Sequence, residues 1–450
     1  MTIFGQHEEK TLIQFEHIRE QALHAALMAD GHVGYVMPIG GVAAYSNQVS
    51  VVGVGFDIAC GNAAIRTNLT LASFGDDTPA IQKTLIAFAD EIAATVSFGV
   101  GRKNTADDAP VTIDVFEDAA WGAVPVTHRD ALRSKARAQL GTVGSGNHYV
   151  DVFTDERGAI WVGVHFGSRG FGHTIASGFL ALGQGKSWGE RVPETELLLD
   201  LNDPIGHDYW QLMNLAGLYA YAGREWVARK VVALLGGAVL ELVHNHHNFA
   251  WKEVHQGEEL VVIRKGATPA FPGQEGFVGG SMGDDAVIVQ GVPAHKASPE
   301  VMALQESALF STVHGAGRVM SRTQAAGKRN RRTGRQLSRG DVSPDMMRTW
   351  VQEKGVILRG GGVDESPHVY RRLPDVLQAQ RGTVDVLHVL RPVIVVMAGD
   401  NEFDPYRDGR STAARWWCIL RCDRHRAACS STRWSSARAS PSYTEPTSTP

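Results

Sequence analysis

Residues 51–61 read Val-Val-Gly-Val-Gly-Phe-Asp-Ile-Ala-Cys-Gly: a short β-branched run, a glycine-rich turn, then a carboxylate and a thiol three positions apart. A buried strand that delivers polar residues at its end has this pattern. The same rhythm of apolar run and glycine turn recurs from Gly31 to about Asp408, for example at 286–290 and 393–396, and predicts many buried strands. Helical periodicity is predicted at 80–94 and, more strongly, at 209–247, where Met213, Leu215, Tyr219, Trp226, Val231 and Leu235 recur. The second segment reads as two helices, or as one kinked near Gly223 or Gly236. No fixed repeat and no proline-rich linker divides residues 1–408. The expected class is therefore α+β, one large domain with mixed β-sheets surrounded by helices.

The chain of 450 residues is 43% hydrophobic, enough to close a core of enzyme size. No apolar run reaches the roughly 18 residues of a membrane span, and the start, Met-Thr-Ile-Phe-Gly before Glu8, Glu9 and Lys10, lacks a signal-peptide layout. A cytoplasmic address follows as the expectation. Of four cysteines, Cys418, Cys422 and Cys429 lie near the end, leaving Cys60 as the one thiol of the main body, so a disulfide framework is not expected. A net charge of -4 argues against a uniformly basic nucleic-acid binder. Local patches must carry any such affinity, and Lys328, Arg329, Arg331, Arg332, Arg335 and Arg339 form one, read equally as a solvated loop or a phosphate-tracking segment.

After Asp408 the character changes. Residues 409–450 mix Arg, Ser, Thr, Cys and Pro without apolar period, and seven Arg face only Asp423 and Glu445. Cys and Trp crowd this tail, unlike an ordinary disordered segment. A frameshifted or misassembled reading frame is preferred over a disordered extension, and the Cys spacing fits no standard zinc pattern.

Five blocks carry groups that bind metals or attack phosphorus. They are 53–61 with Asp57 and Cys60, 141–148 (Gly-Thr-Val-Gly-Ser-Gly-Asn-His), 164–173 with His165 and His173, 244–248 (His-Asn-His-His-Asn) at an expected helix end, and 314–322 (His-Gly-Ala-Gly-Arg-Val-Met-Ser-Arg). Each alone is weak, since a glycine-flanked His is often a turn residue and a lone buried Cys acts as a small hydrophobe. Together they offer one thiolate, one carboxylate and several imidazoles, a mix suited to zinc or manganese. Paired ions in such a set suit phosphoryl transfer, with glycine loops presenting N–H groups to phosphate.

As an ordered set these blocks, with Arg264-Lys-Gly-Ala-Thr, Gly280-Ser-Met-Gly283 and Asp364-Glu-Ser-Pro367, resemble the motifs of the RtcB family of RNA-splicing ligases across residues 30–408. The resemblance implies that Asp57, Cys60, His148, His165 and His247 hold two manganese ions, Cys60 bridging them. It implies that His314 is the nucleophile that takes GMP from GTP, that Asn147 contacts phosphate, and that Ser281, Gly315, Ala316 and Gly317 form the guanylate pocket. Asp151 stands where the family places a glutamate near guanine, and Tyr370 is a stacking candidate. The guanylate would pass to an RNA 3′-phosphate, or a 2′,3′-cyclic phosphate once opened, and a 5′-hydroxyl would displace GMP, in tRNA splicing or RNA repair. An archease-type activator and a monomeric state are further implications.

The match departs at Leu390-Arg-Pro-Val-Ile-Val-Val-Met-Ala-Gly399, where Met397 replaces a lysine that contacts the guanylate in many family members. Asp400 to Asp408 resembles the ending of a diverged branch. Two other readings stand beside the ligase: a metal-dependent RNA-end phosphodiesterase that never guanylylates, and an inactive RNA-binding homologue.

Overall fold

Small side chains at Ala63 and Ala64 let other layers close over both faces of the Gly61–Thr70 strand, whose first five residues are all buried. In the computed structural model, which describes residues 2–328 and 335–399, this strand lies between Ala159–Phe166 and Val239–His246, antiparallel to both. Alternation sends Ala63 and Ile65 to one side, with Val150, Val164, Val227 and Val231. Ala64 goes to the other side, with Phe153, Trp161, Phe277 and Ile288.

Among the described residues the larger sheet has eight strands. Its order runs Glu275–Val278, Ala286–Gly291, Val384–Gly399, Tyr149–Thr154, Ala159–Phe166, Gly61–Thr70 and Val239–His246, with Ile357–Gly361 parallel beside Val384–Gly399. A second sheet of five joins Thr2–Ile3, His24–His32, Ile39–Tyr45, Glu258–Lys265 and Asn248–His255. Helices cover these sheets, and the class is α+β as expected. Among the described residues no helix is long and apolar enough to cross a membrane.

The 80–94 expectation is met by the Thr78–Thr95 helix, capped by Asp77, whose carboxylate accepts from Ala80 N at 2.8 Å. The strands expected at 286–290 and 393–396 also form, within Ala286–Gly291 and Val384–Gly399. Two expectations are corrected. Residues Val51–Val54 form one helical turn instead of a strand, because the Ser50 hydroxyl accepts from Gly53 N at 2.8 Å and caps it. All four residues are buried, so neither period shows in the sequence. The 209–247 segment is one continuous helix through Gly223, Pro204–Leu234, followed by the Val239–His246 strand. Gly236, at φ 75°, ends the helix. The His-rich block thus ends a strand, not a helix.

Lys328, Arg335 and Arg339 of the basic segment are exposed, while Arg329, Arg331 and Arg332 lie outside the described residues, as does everything from Asp400 onward, including the distinctive 409–450 tail.

Candidate active site

Antiparallel pairing sets four strand ends side by side. His165 is opposite Asn62 on one neighbour and Tyr149 on the other, while Gly61 is opposite His246. Cys60, His148 and His247 each sit one residue beyond those strands, so all four ligand-type side chains reach the same edge. Asp57 joins them because the chain turns: Cys60 N donates to Asp57 O at 3.1 Å, and Ala59 adopts φ 60°. That left-handed conformation is unfavourable for alanine and is held by two bonds. Ala59 N donates to Asn248 O at 2.7 Å, and Arg224 donates to Ala59 O at 2.8 Å.

Cys60 Sγ lies 3.6 Å from His148 Nε2 and 3.6 Å from His165 Nε2, and His148 Nε2 lies 3.1 Å from an Asp57 oxygen. Two triads result, Cys60 with His165 and His247, and Asp57 with Cys60 and His148, the potential ligand atoms of each within 4.8 Å of one another. Cys60 belongs to both.

Outer contacts orient these rings. Asn62, fully buried, donates from Nδ2 to Phe277 O at 2.7 Å, which leaves its Oδ1 as acceptor for His165 Nδ1 at 2.6 Å. His165 therefore carries its proton on Nδ1 and turns the Nε2 lone pair toward Cys60. His148 Nδ1 lies 2.9 Å from Val143 O and 3.0 Å from an Arg169 guanidinium nitrogen, contacts that hold the ring with Nε2 toward Asp57 and Cys60. The Nδ1 of His247 is buried without a hydrogen-bond partner among the described residues.

Burial pushes the Asp57 carboxyl up, but the hydrogen bond and charge of His148, with Arg169 beyond, outweigh it and hold the group at about 2. Burial, reinforced by Asp57, pushes the Cys60 thiol well above its ordinary range. Burial pushes His165 and His247 well below theirs. Three imidazoles, a carboxylate and a thiol in contact form a donor set that fits a divalent cation, which displaces the thiol proton on binding.

His314 follows the Ser311–Val313 strand, its ring 4.9 Å from that of His247. The carboxylate of Asp30, fully buried, accepts from His314 N at 3.0 Å, His314 Nδ1 at 2.6 Å and Gly315 N at 3.2 Å. This fixes the tautomer and leaves the Nε2 lone pair of His314 for other work. One pocket is lined by His314, Gly315, Ala316 and Gly317, by Asn147 and His165, and by Asp151, Ser281, Tyr370 and Met397. This pocket and the Cys60 cluster share His165 and between them hold the metal-ligand, nucleophile and guanylate-pocket residues that the family resemblance implied. Asp151 is 5% exposed, its Oδ1 has no hydrogen-bond partner among the described residues, and burial pushes its carboxyl well up. The Ser281 hydroxyl already donates to Asp284 at 2.7 Å. The Tyr370 hydroxyl binds Glu365, and Arg318 stands 5.2 Å from its ring centroid.

Sequence reasoning missed Asp30, Asn62, Arg224 and His32, which stacks near His314 at 6.5 Å. A signal existed for Asp30, a lone acid inside the apolar run of the buried His24–His32 strand. A further acidic and histidine set, Asp155, Glu156 and His388, is already satisfied internally. Asp155 accepts from Arg157 N, Ala159 N and Trp161 Nε1, and Glu156 lies 2.9 Å from His388 Nδ1.

A family model described as tRNA-splicing ligase RtcB matches residues 12–398. The chain is 30% identical over 398 residues to the RNA-splicing ligase RtcB1 of Escherichia coli, covering 83% of this chain and 90% of that protein. It is 32% identical over 436 residues to the tRNA-splicing ligase RtcB of Archaeoglobus fulgidus, covering 80% and 83%. It is 31% identical over 428 residues to the RNA-splicing ligase RtcB of Mycobacterium tuberculosis, covering 78% and 91%.

Proposed function

The chain belongs to the RtcB family of RNA ligases, and from that premise we propose that it seals RNA 3′-phosphate or 2′,3′-cyclic phosphate ends to 5′-hydroxyl ends through a guanylylated His314. The observation that carries this reading is the placement of His314. Its Nδ1 is committed to Asp30, and its ring lies against His247 of the metal-type cluster at the wall of the pocket.

Asp57, Cys60, His148, His165 and His247 would hold two divalent ions, manganese by family precedent, which when bound supply Lewis-acid polarisation of phosphate oxygens. The protein's own groups account for the rest. His314 Nε2 forms a bond to the α-phosphorus of GTP as the bond to pyrophosphate breaks, giving a phosphoramidate. As Nε2 becomes bonded the ring gains positive charge, and the Asp30 carboxylate at 2.6 Å offsets it. The RNA 3′-phosphate then displaces His314 and takes the GMP. A 5′-hydroxyl oxygen finally attacks the activated 3′-phosphate, and GMP leaves.

The base pocket supports guanine. Burial disfavours the ionised Asp151, and guanine, with N–H donors at N1 and N2, would stabilise that carboxylate where adenine, with an acceptor at N1, would not. Tyr370 and Arg318 form a wall beside it. Met397, 7% exposed, gives this pocket an apolar side where many relatives carry a cation, which favours a second reading, phosphodiesterase action without guanylylation.

Incubation with α-labelled GTP and manganese, followed by denaturing electrophoresis of wild type and His314→Ala, separates the two. An acid-labile label on wild type that vanishes in the variant supports the ligase, and joining of RNA ends is tested next. No label on a folded, metal-loaded sample with any nucleotide overturns it.

A further inference from the structure

The His-rich block at 244–248 is only partly used by the candidate metal set, which takes His247 and leaves His244 and His246. Both of these turn to the Pro204–Leu234 helix, where Arg224 is fully buried. Arg224 Nε donates to His244 Nε2 at 2.9 Å, and one terminal nitrogen donates to His246 Nδ1 at 2.8 Å. The other donates to Ala59 O at 2.8 Å and to Phe166 O at 2.7 Å. Two imidazoles and two carbonyls, none of them anionic, thus receive a buried cation. Burying a guanidinium this way costs several kcal/mol unless its surroundings are arranged for it.

The identity of the contacts explains the arrangement. Ala59 precedes Cys60, Phe166 follows His165 and His246 precedes His247, so one planar fork touches the residue beside each ligand of the Cys60, His165 and His247 triad. The backbone is shaped for this approach, since a Cβ on Gly61 would lie 3.1 Å from the Arg224 guanidinium carbon and 2.2 Å from Asn245 O. Tyr221 stacks on His246 with centroids 3.8 Å apart, closing the fork from the helix side.

We propose that Arg224 is a positioning residue of the metal centre: its guanidinium sets the spacing of the three backbone segments that carry Cys60, His165 and His247, with His244 and His246 as its acceptors and not as metal ligands. This rests on the metal reading above. A lysine has one ammonium and no rigid fork, so it cannot span the same acceptors.

The test is cobalt(II) and manganese(II) titration of the full chain, following the thiolate-to-cobalt absorption band and the affinity of each ion. Variants are Arg224→Lys, Arg224→Met and His244→Ala. Arg264→Met serves as comparator, because Arg264 is equally buried but held by Glu253, Ser311 and Leu309 O. Folding is monitored by circular dichroism. The expected result is roughly 10- to 100-fold weaker metal binding with a shifted band in both Arg224 variants. His244→Ala should show a smaller loss in the same direction, and Arg264→Met a wild-type band. Should the Arg224 variants fail to fold, His244→Ala decides, and a wild-type affinity and band in it would overturn the proposal. A wild-type band in Arg224→Met, or full recovery in Arg224→Lys, would also overturn it, the latter because charge alone would then suffice. Absence of any thiolate band in the wild type sinks the metal reading itself, a separate outcome.

Discussion

Asp30→Asn isolates one carboxylate charge behind the proposed nucleophile. The substitution is isosteric, and an amide oxygen in place of the Asp30 oxygen still accepts from His314 N, His314 Nδ1 and Gly315 N, so the ring keeps its tautomer. What disappears is the negative charge facing an imidazole that turns cationic as Nε2 attacks. With the ring charge spread to an effective separation of ~4 Å and an effective dielectric of ~20, that attraction is worth about 4 kcal/mol. At about 1.4 kcal/mol per decade, guanylylation in a single turnover should slow roughly 1,000-fold. Manganese affinity should stay at the wild-type level, because Asp30 touches none of the proposed ligands. The assay is rapid-quench labelling with α-labelled GTP at saturating metal, beside a thermal melt that registers a stability loss of about 1–3 kcal/mol from the altered buried group. A labelling rate within ~10-fold of wild type in a folded sample refutes the reasoning, since the carboxylate would then do no more than hold the loop.

Asn62→Leu should weaken manganese binding roughly 10- to 100-fold by freeing His165 Nδ1, while Asn62→Asp, which keeps the acceptor, should retain it; calorimetric titration reads both, and equal affinities for the two variants would contradict the assigned tautomer. Asp151→Asn should erode the preference for GTP over ATP by roughly 10- to 100-fold in competitive labelling, because the amide offers a donor to adenine N1; unchanged selectivity removes Asp151 from base reading. Burial holds His32 at about 4, below the ~6.5 of an exposed imidazole. The unfolded chain therefore binds more protons between those values, so stability is full above pH ~6.5 and falls as pH drops toward 4, by roughly 3 kcal/mol from this residue. Urea unfolding of the metal-free protein from pH 4.5 to 7 should show this slope on top of the contributions of His165 and His247, and His32→Gln should reduce it; an identical slope in the variant would refute the assignment.

The sequence by itself determined the α+β class and marked the candidate ligand-type residues. Glycine turns beside Asp57, Cys60, His148, His165 and His314 are local signals, and the order of those blocks is specific to one family. The helix at 80–94 was equally legible from its period. The family resemblance singles out His247 from the 244–248 block, and the tertiary structure supplies the physical reason for separating it from its neighbours. In a strand, side chains alternate, so His244 and His246 share the face toward Arg224 and His247, just beyond the strand, is free to turn toward Cys60. A helical reading of the same residues hides that division. The supporting residues were hidden for a different reason: Asp30 lies 284 positions from His314, Asn62 lies 103 from His165 and Arg224 lies 165 from Ala59. Each sits in an otherwise ordinary strand or helix, and its meaning depends on a partner that only strand pairing and helix packing bring within hydrogen-bond distance.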